Sequence, residues 1–545
     1  MLAAGNGHAD IVNILLKNNA NVKLKSYDDW TAIMLAAAKG FIDVVQSLLQ
    51  YKAQVNIYSN NGENALIVAS QFGQTKVVEC LLKSGANIHY MIHDDFTPFL
   101  ISAHNGYTEI VKLLLQYDAD INEKVKDGST ALMLACGKGD AETVKLLLQS
   151  GASVDETNKQ GSTALMIASQ SRNPEIVMLL LEFNTKVEIN ITKQGMNTEK
   201  LIAQSAESAN KKNLCGRTAL MLASYNGFVS IVKLLLDSGA DANLEDNFGW
   251  TALMLSIHEG HIETARLILD YFPLSNDLNG PKKMCTPLLI ASGRGNTEMV
   301  SLLLNSSANV NEKRLDGLTA LMMSSLQGHM EIVRLLVEFN ATVNEKNING
   351  VSALMFASVK GHSNIVHFLL QSGAIANDKD LQGWTPLMLS SYHGHTKTVE
   401  ILLRSGANVS EQNNVKCTAL LIAKQRNHEE IIQLLVKYKQ MEIPIQESDK
   451  CQNALKTQLL SYLNTETFRM PENVTISFNV LIDIVLHTVE QTFSNLVLIP
   501  MLSEGFVLSN NKSFKHSAIP ITSNLVIDSS SVKVRQNLDL NLDIK

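Results

Sequence analysis

Apolar and polar positions recur along most of this chain with a period of 33 residues. Each period opens on a hydroxyl or amide residue followed by Ala or Pro and then an apolar residue, usually Leu, as in Thr130-Ala131-Leu132 and Thr385-Pro386-Leu387. Thr is a good helix N-cap and Pro is well placed at the first helical position, so the pattern predicts a short helix starting there. Nine residues after the opening Thr stands a glycine, as at Gly40, Gly106, Gly139, Gly227, Gly260, Gly328 and Gly394. Positive φ is open to glycine, and a tight turn is expected at each. A second apolar series follows, with pairs such as Val144 and Leu147 or Ile231 and Leu234 at the spacing of one buried helix face. It ends at Gly85, Gly151, Gly239, Gly373 and Gly406, or at Asn19, Asn184 and Asn340. Between units lies a polar hairpin carrying Asp127-Gly128 or Asn61-Gly62. A unit of two short helices and a hairpin cannot bury its own apolar side, so many copies must stack to make a core.

The opening residue falls at Thr31, Asn64, Thr97, Thr130, Thr163, Thr218, Thr251, Thr286, Thr319, Ser352, Thr385 and Thr418. Nine of the eleven intervals are 33; the others, 55 and 35, are one period plus an insertion. With its T-A-L and T-P-L anchors in this phase, the chain resembles the ankyrin-repeat family over residues 1–440. The resemblance implies an all-α solenoid of stacked helix-turn-helix units with β-hairpin fingers, plus a partly helical C-terminal tail. One departure is systematic: the His of T-P-L-H is replaced by Met at Met34, Met133, Met166, Met221, Met254, Met322, Met355 and Met388. A position in register with the repeat is expected to be core, so packing takes the place of a hydrogen bond.

About 13 repeats fit into 1–440, the first incomplete, because Met1 stands where Met34 stands in the next copy. The chain thus opens inside a first helix, as a fragment or an internal start would. The longer insertion lies at 183–215, and its piece Thr198 to Ala209 has the composition of a lone helix. Residues 441–505 are expected to be a partly helical region of no recognised family, and 506–545 a flexible tail. The alternating Leu538 to Ile544 is similar to the L-x-L-x-L peptides with which some repressors recruit co-repressors.

Composition narrows the function. The chain of 545 residues is 45% hydrophobic and 18% charged with a formal net charge of -7, which fits a folded protein and disfavours general nucleic-acid binding. The most apolar stretch, Val480 to Val489, is broken by Asp483 and His487, so no membrane insertion is expected. Six cysteines without a C-x-x-C pair suggest reduced thiols and an intracellular, cytoplasmic location. Gly137-Lys138-Gly139 and Gly293-Arg294-Gly295 imitate phosphate loops but follow no strand and lack the Lys-Ser/Thr ending. His393-Gly394-His395 imitates a metal motif without further ligands. No catalytic set can be assembled by repeat phase; the chain is expected to be no enzyme and to take no cofactor and no metal.

Binding to other proteins remains. In the family resembled, partners lie along a concave surface made by hairpin tips and first-helix ends, which assigns the residue before each anchor and those seven and eight after it. Those slots hold Trp30, Phe72, Phe96, His104, Tyr225, Trp250, His258, Trp384, Tyr392 and His393. Aromatic residues on a polar surface are typical binding anchors, although a Trp can equally cover its own hairpin. The resemblance also implies that Asn56, Asn122, Asn243, Asn311 and Asn344 occupy hairpin positions like those hydroxylated by asparaginyl hydroxylases. The expected function is a monomeric protein-protein interaction scaffold or adaptor. The alternative is the recognition fragment of a larger signalling enzyme or channel.

Overall fold

The structure, a computed structural model, describes residues 1–191, 206–273, 285–439, 527–528 and 531–532. Thirteen helix pairs follow one another, from Leu2–Gly5 with Ala9–Lys17 to Ala419–Gln425 with Glu429–Lys439. First helices pack on first helices of the neighbouring units and second helices on second helices, so the core is one continuous row rather than a central mass. The eight methionines that replace the family histidine are all buried in it.

The anchors act as the sequence predicts. Thr97 Oγ1 accepts the backbone N–H of Leu100 at 3.2 Å, Thr251 that of Met254 at 3.2 Å, and Asn64 Oδ1 that of Ile67 at 2.8 Å. Each such bond satisfies one of the helix's orphan donors.

Polar bolts tie one unit to the next. On the hairpin side, Asn344 Nδ2 donates to the Gly373 carbonyl at 2.9 Å while its Oδ1 accepts the Ile375 N–H at 3.0 Å. Asn56, Asn311 and Asn377 make the same two bonds to the following unit. Asn122 accepts from Ser153 in the same way. On the opposite side of the first helix, where a histidine follows the turn, it reaches back to a carbonyl of the preceding unit. His395 Nε2 donates to the Val359 carbonyl at 2.8 Å, and His261, His362 and His428 bond likewise to Tyr225, Leu326 and Tyr392. Glycine is required opposite that ring: at Gly361, with φ of 72°, a Cβ would stand 2.5 Å from His395 Nδ1. His395 of the His393-Gly394-His395 motif is thus held by an inter-unit hydrogen bond.

The fingers differ in detail from the β-hairpins expected. Among the described residues of the solenoid, strand pairing is limited to isolated bridges between Lys25 and Thr31 and between Lys124 and Thr130. An Asx turn closes the finger instead: Asp380 Oδ1 accepts from Gln382 at 2.9 Å and from Trp384 at 2.8 Å. Backbone bonds then run from finger to finger, as from Leu381 N–H to Asn349 O at 3.0 Å and from Asn414 N–H to Gln382 O at 3.0 Å. Each finger also closes on itself through one backbone bond across the turn, as from Asp380 N–H to Trp384 O at 3.1 Å.

At the long insertion the second helix runs Pro174–Ile191. Of the expected helix from Thr198 to Ala209, residues 198–205 lie outside the described ones and 206–209 are helical. Register returns at Ala209, which is wholly buried, and at Asn210, whose amide clamps Gly239 O and Asp241 N–H like the other clamp asparagines. The regions 441–505 and 506–545, with Val480 to Val489 and Leu538 to Ile544, lie outside the described residues apart from one antiparallel pair, Ile527–Asp528 with Ser531–Val532. Cysteines hold a correction to the expectation of six reduced thiols. Cys80, Cys136, Cys215 and Cys285 are free, whereas Cys417 is disulfide-bonded. Pairing of distant cysteines depends on the fold and leaves no mark in sequence spacing.

Replacing Asn344 by Ala removes both of its bonds to the next unit. The expected cost is about 1 to 2 kcal/mol of unfolding free energy, read from the urea midpoint by circular dichroism.

Candidate functional site

The ten residues singled out by repeat position stand at the finger bases and at the C-terminal ends of the first helices. The residue before the anchor and the residue seven after it prove to be a packing couple. Phe96 and His104 meet edge to face with centroids 6.0 Å apart, Trp250 and His258 at 5.5 Å, and Trp384 and Tyr392 at 5.8 Å. In a fourth unit the Arg217 guanidinium lies 6.0 Å from the Tyr225 ring. Large therefore sits beside large. Elsewhere small sits beside small, as in Ser129 with Gly137 and Cys285 with Gly293. Ser162 with Gln170 and Cys417 with Gln425 depart from this matching, and so does Trp30, whose couple is only Ala38.

Two of the aromatic couples are contacted by a cation from the following unit, eight residues after that unit's anchor, and the third has a cation at the same place in register. Arg426 stands over the Tyr392 ring at 3.9 Å, Arg294 hydrogen-bonds His258, and Lys138 is the charge felt by His104. These cations escaped the sequence reading. The signal was present as a basic residue one register step beyond every aromatic couple, but it becomes visible only once consecutive units are laid side by side. At Trp30 and Ala38 the corresponding place in the next unit is taken by Phe72.

Burial separates the ten residues. Trp384 and Tyr392 are 8% and 7% exposed and His258 is 9% exposed, so these three are packed inward and are not the open anchors expected of them. The Trp384 ring covers its own finger and first helix, because Tyr392 and then Arg426 fill the space on which a partner would rest. Phe72 is 52% exposed. Trp30, Phe96, Tyr225, Trp250 and His393 are half-buried, and His104 is exposed at its edge.

The electrostatics follow from this packing. Burial lowers the His258 pKa and Arg294 lowers it further, against the opposing pull of Glu259 at 2.6 Å. His104 is lowered by desolvation and then by Lys138. His393, stacked on His395 with centroids 6.0 Å apart, is brought down to about 4, chiefly by burial and then by His395, Lys360 and His428. A neutral imidazole in such a place is a packing group. Among the described residues no set of three or more His, Cys, Asp or Glu is gathered as a metal site would need, and no helix is long and apolar enough to cross a membrane.

A family model described as ankyrin repeats (3 copies) matches residues 1–92, 99–194, 192–280, 272–347, 288–380 and 339–413, and a second, ankyrin repeats (many copies), matches 391–436. Among solved structures the chain is similar to the human ASB11 ankyrin repeat domain. The two are 25% identical over 44% of this chain and 96% of that one, with a TM-score of 0.37. None of the curated proteins matches.

Two outcomes are expected. In a double-mutant cycle of Trp384→Leu and Tyr392→Leu, urea unfolding should return a coupling of about 0.5 to 1.5 kcal/mol, the worth of an aromatic pair beyond its buried area. For His393 the unfolded chain takes up a proton near the ordinary value of 6.5, the folded chain only near 4. Its contribution to stability is therefore intact above pH 6.5 and is lost as pH falls toward 4. A His393→Gln variant should lose less stability than the parent between about pH 7 and about pH 4.5 in the same assay.

Proposed function

The chain belongs to the ankyrin-repeat family, and from that premise we propose that it is an intracellular, monomeric scaffold or adaptor that holds other proteins on its finger-and-helix-end face. Ankyrin repeats are generally protein-protein interaction modules. The matches run from residue 1 to residue 436, so recognition occupies the greater part of the chain. We assign it no catalytic role.

One observation supports this face above others. Trp384 and Tyr392 are closed by their couple and Arg426, and His258 by Trp250 and Arg294, yet Trp30 has only Ala38 as its mate by register and Phe72 is left 52% exposed in the next unit. By repeat register these two rings flank Ala38. That leaves aromatic surface on either side of a small residue, the kind of recess into which a partner's apolar side chain packs. Phe96, His104, Tyr225 and Trp250 extend the proposed surface, while His258, Trp384, Tyr392 and His393 shape it from beneath.

The test is affinity capture from cell extract with the full chain, comparing the parent with Trp30→Ala and Phe72→Ala by quantitative mass spectrometry. Each variant should keep the parent's circular dichroism spectrum and melting temperature and lose roughly tenfold or more of the specifically captured proteins. Unchanged capture by both folded variants would remove Trp30 and Phe72 from the binding surface.

A further inference from the structure

Charge is unevenly divided between the two helices of a unit. No first helix has an acidic residue in its first turn, whereas second helices carry Asp10, Asp43, Glu109, Glu142, Glu263, Glu298 and Glu331 in theirs. The eighth position after the anchor, at the end of the first helix, is basic at Lys39, Lys138, Arg294, Lys360 and Arg426 and acidic only at Glu259. Glu259 is itself engaged by His258, which Arg294 also contacts. This stands in a chain with 53 acidic and 46 basic residues.

A helix C-terminus favours cations through its dipole, which would be explanation enough if every helix end obeyed it. The second helices do not. Several end without a basic residue, and one ends on Asp237 and another on Glu338. Lys17, Lys83 and Arg404 do close second helices, but a basic residue recurs more often at the eighth position after the anchor, at five of twelve units.

We infer that this face takes an acidic protein segment, extended across the units that carry Arg294, Lys360 and Arg426. The inference rests on the proposed function and adds to it the chemistry of the partner. Helices packed side by side lie about 8 to 10 Å apart, so the four steps from the unit of Arg294 to that of Arg426 cover roughly 32 to 40 Å. An extended strand rises about 3.3 Å per residue and spans that length with about ten to twelve residues. Arg294 and Arg426 are already seated against His258 and Tyr392, which lowers the entropy lost when a guanidinium grips a carboxylate. Single exposed ion pairs contribute little, but a row read by one segment acts in concert and steers the encounter.

The experiment selects peptides of about twelve residues from a random displayed library on the immobilised full chain, then measures the synthetic winners by fluorescence anisotropy. The expected winners are acidic, weaken roughly tenfold between about 50 and about 200 mM salt, and weaken at least about tenfold against the triple variant R294E/K360E/R426E. The control K112E/K145E/K233E makes the same change of charge on second helices and should alter binding by less than about twofold. Melting temperatures check that both variants are folded. Neutral or basic winners, indifference to the triple variant, failure of the library to enrich, or tighter binding of a single-stranded DNA of about twelve nucleotides would each overturn the inference. Winners that ignore the triple variant yet are lost on Trp30→Ala or Phe72→Ala leave the proposed face standing without its acidic partner. Winners that ignore all of these substitutions sink both.

Discussion

A pair of short helices whose apolar sides point at the next pair has no interior of its own, and everything in this chain is arranged around that fact. Stability comes from contact between neighbours, so the period must be kept if each Met, Leu and Val is to meet its counterpart. The buried methionines make the point: Met322, Met355 and Met388 lie in consecutive units at an interval of 33 residues, each almost wholly out of solvent. Around this apolar row the Asn clamps on the finger side and the His-to-carbonyl bonds beside the turns hold the spacing. The long insertion shows how strict the register is, since the chain returns to it with a buried alanine at 209 and a clamping amide at 210.

The same stacking governs the proposed binding face. A side chain at a finger base is not simply outside; it sits against the first helix of its own unit and beneath a residue of the next. Where the couple is two rings and the cover is a cation, as at Trp384, Tyr392 and Arg426, the group is closed. Where the couple is Trp30 with Ala38 and the cover is Phe72, apolar surface is left in the open. The surface thus combines an aromatic recess toward one end with a spaced basic row toward the other. Both arise from three positions per unit, filled differently in successive copies.

Most of the fold could be read from the amino-acid sequence because its signals are local and repeated. The Thr that caps, the glycine forced to positive φ and the apolar spacing of the second helix each depend on a few neighbouring residues, and a dozen copies expose them. What could not be read lies between copies. The asparagines in the hairpins looked like surface groups, yet Asn344 spends both ends of its amide on the following unit. Trp384 looked like a binding anchor, and only the couple and the cover show it to be packed. The fingers suggested strand pairing within each hairpin, and their hydrogen bonds also link one finger to another. The disulfide at Cys417 had no signature at all, because it joins residues that spacing does not associate.

The matching of sizes between the residue before the anchor and the one seven after it bears on how such a surface can change over generations. A lone replacement of a large ring by a small residue opens a void against its mate, and a lone enlargement opposite a glycine collides. In most units the two sites are a single heritable character spelled by two codons, and drift that alters one favours compensation in the other. A library that randomises finger bases alone would sample mostly broken couples; one that randomises both members together would sample surfaces.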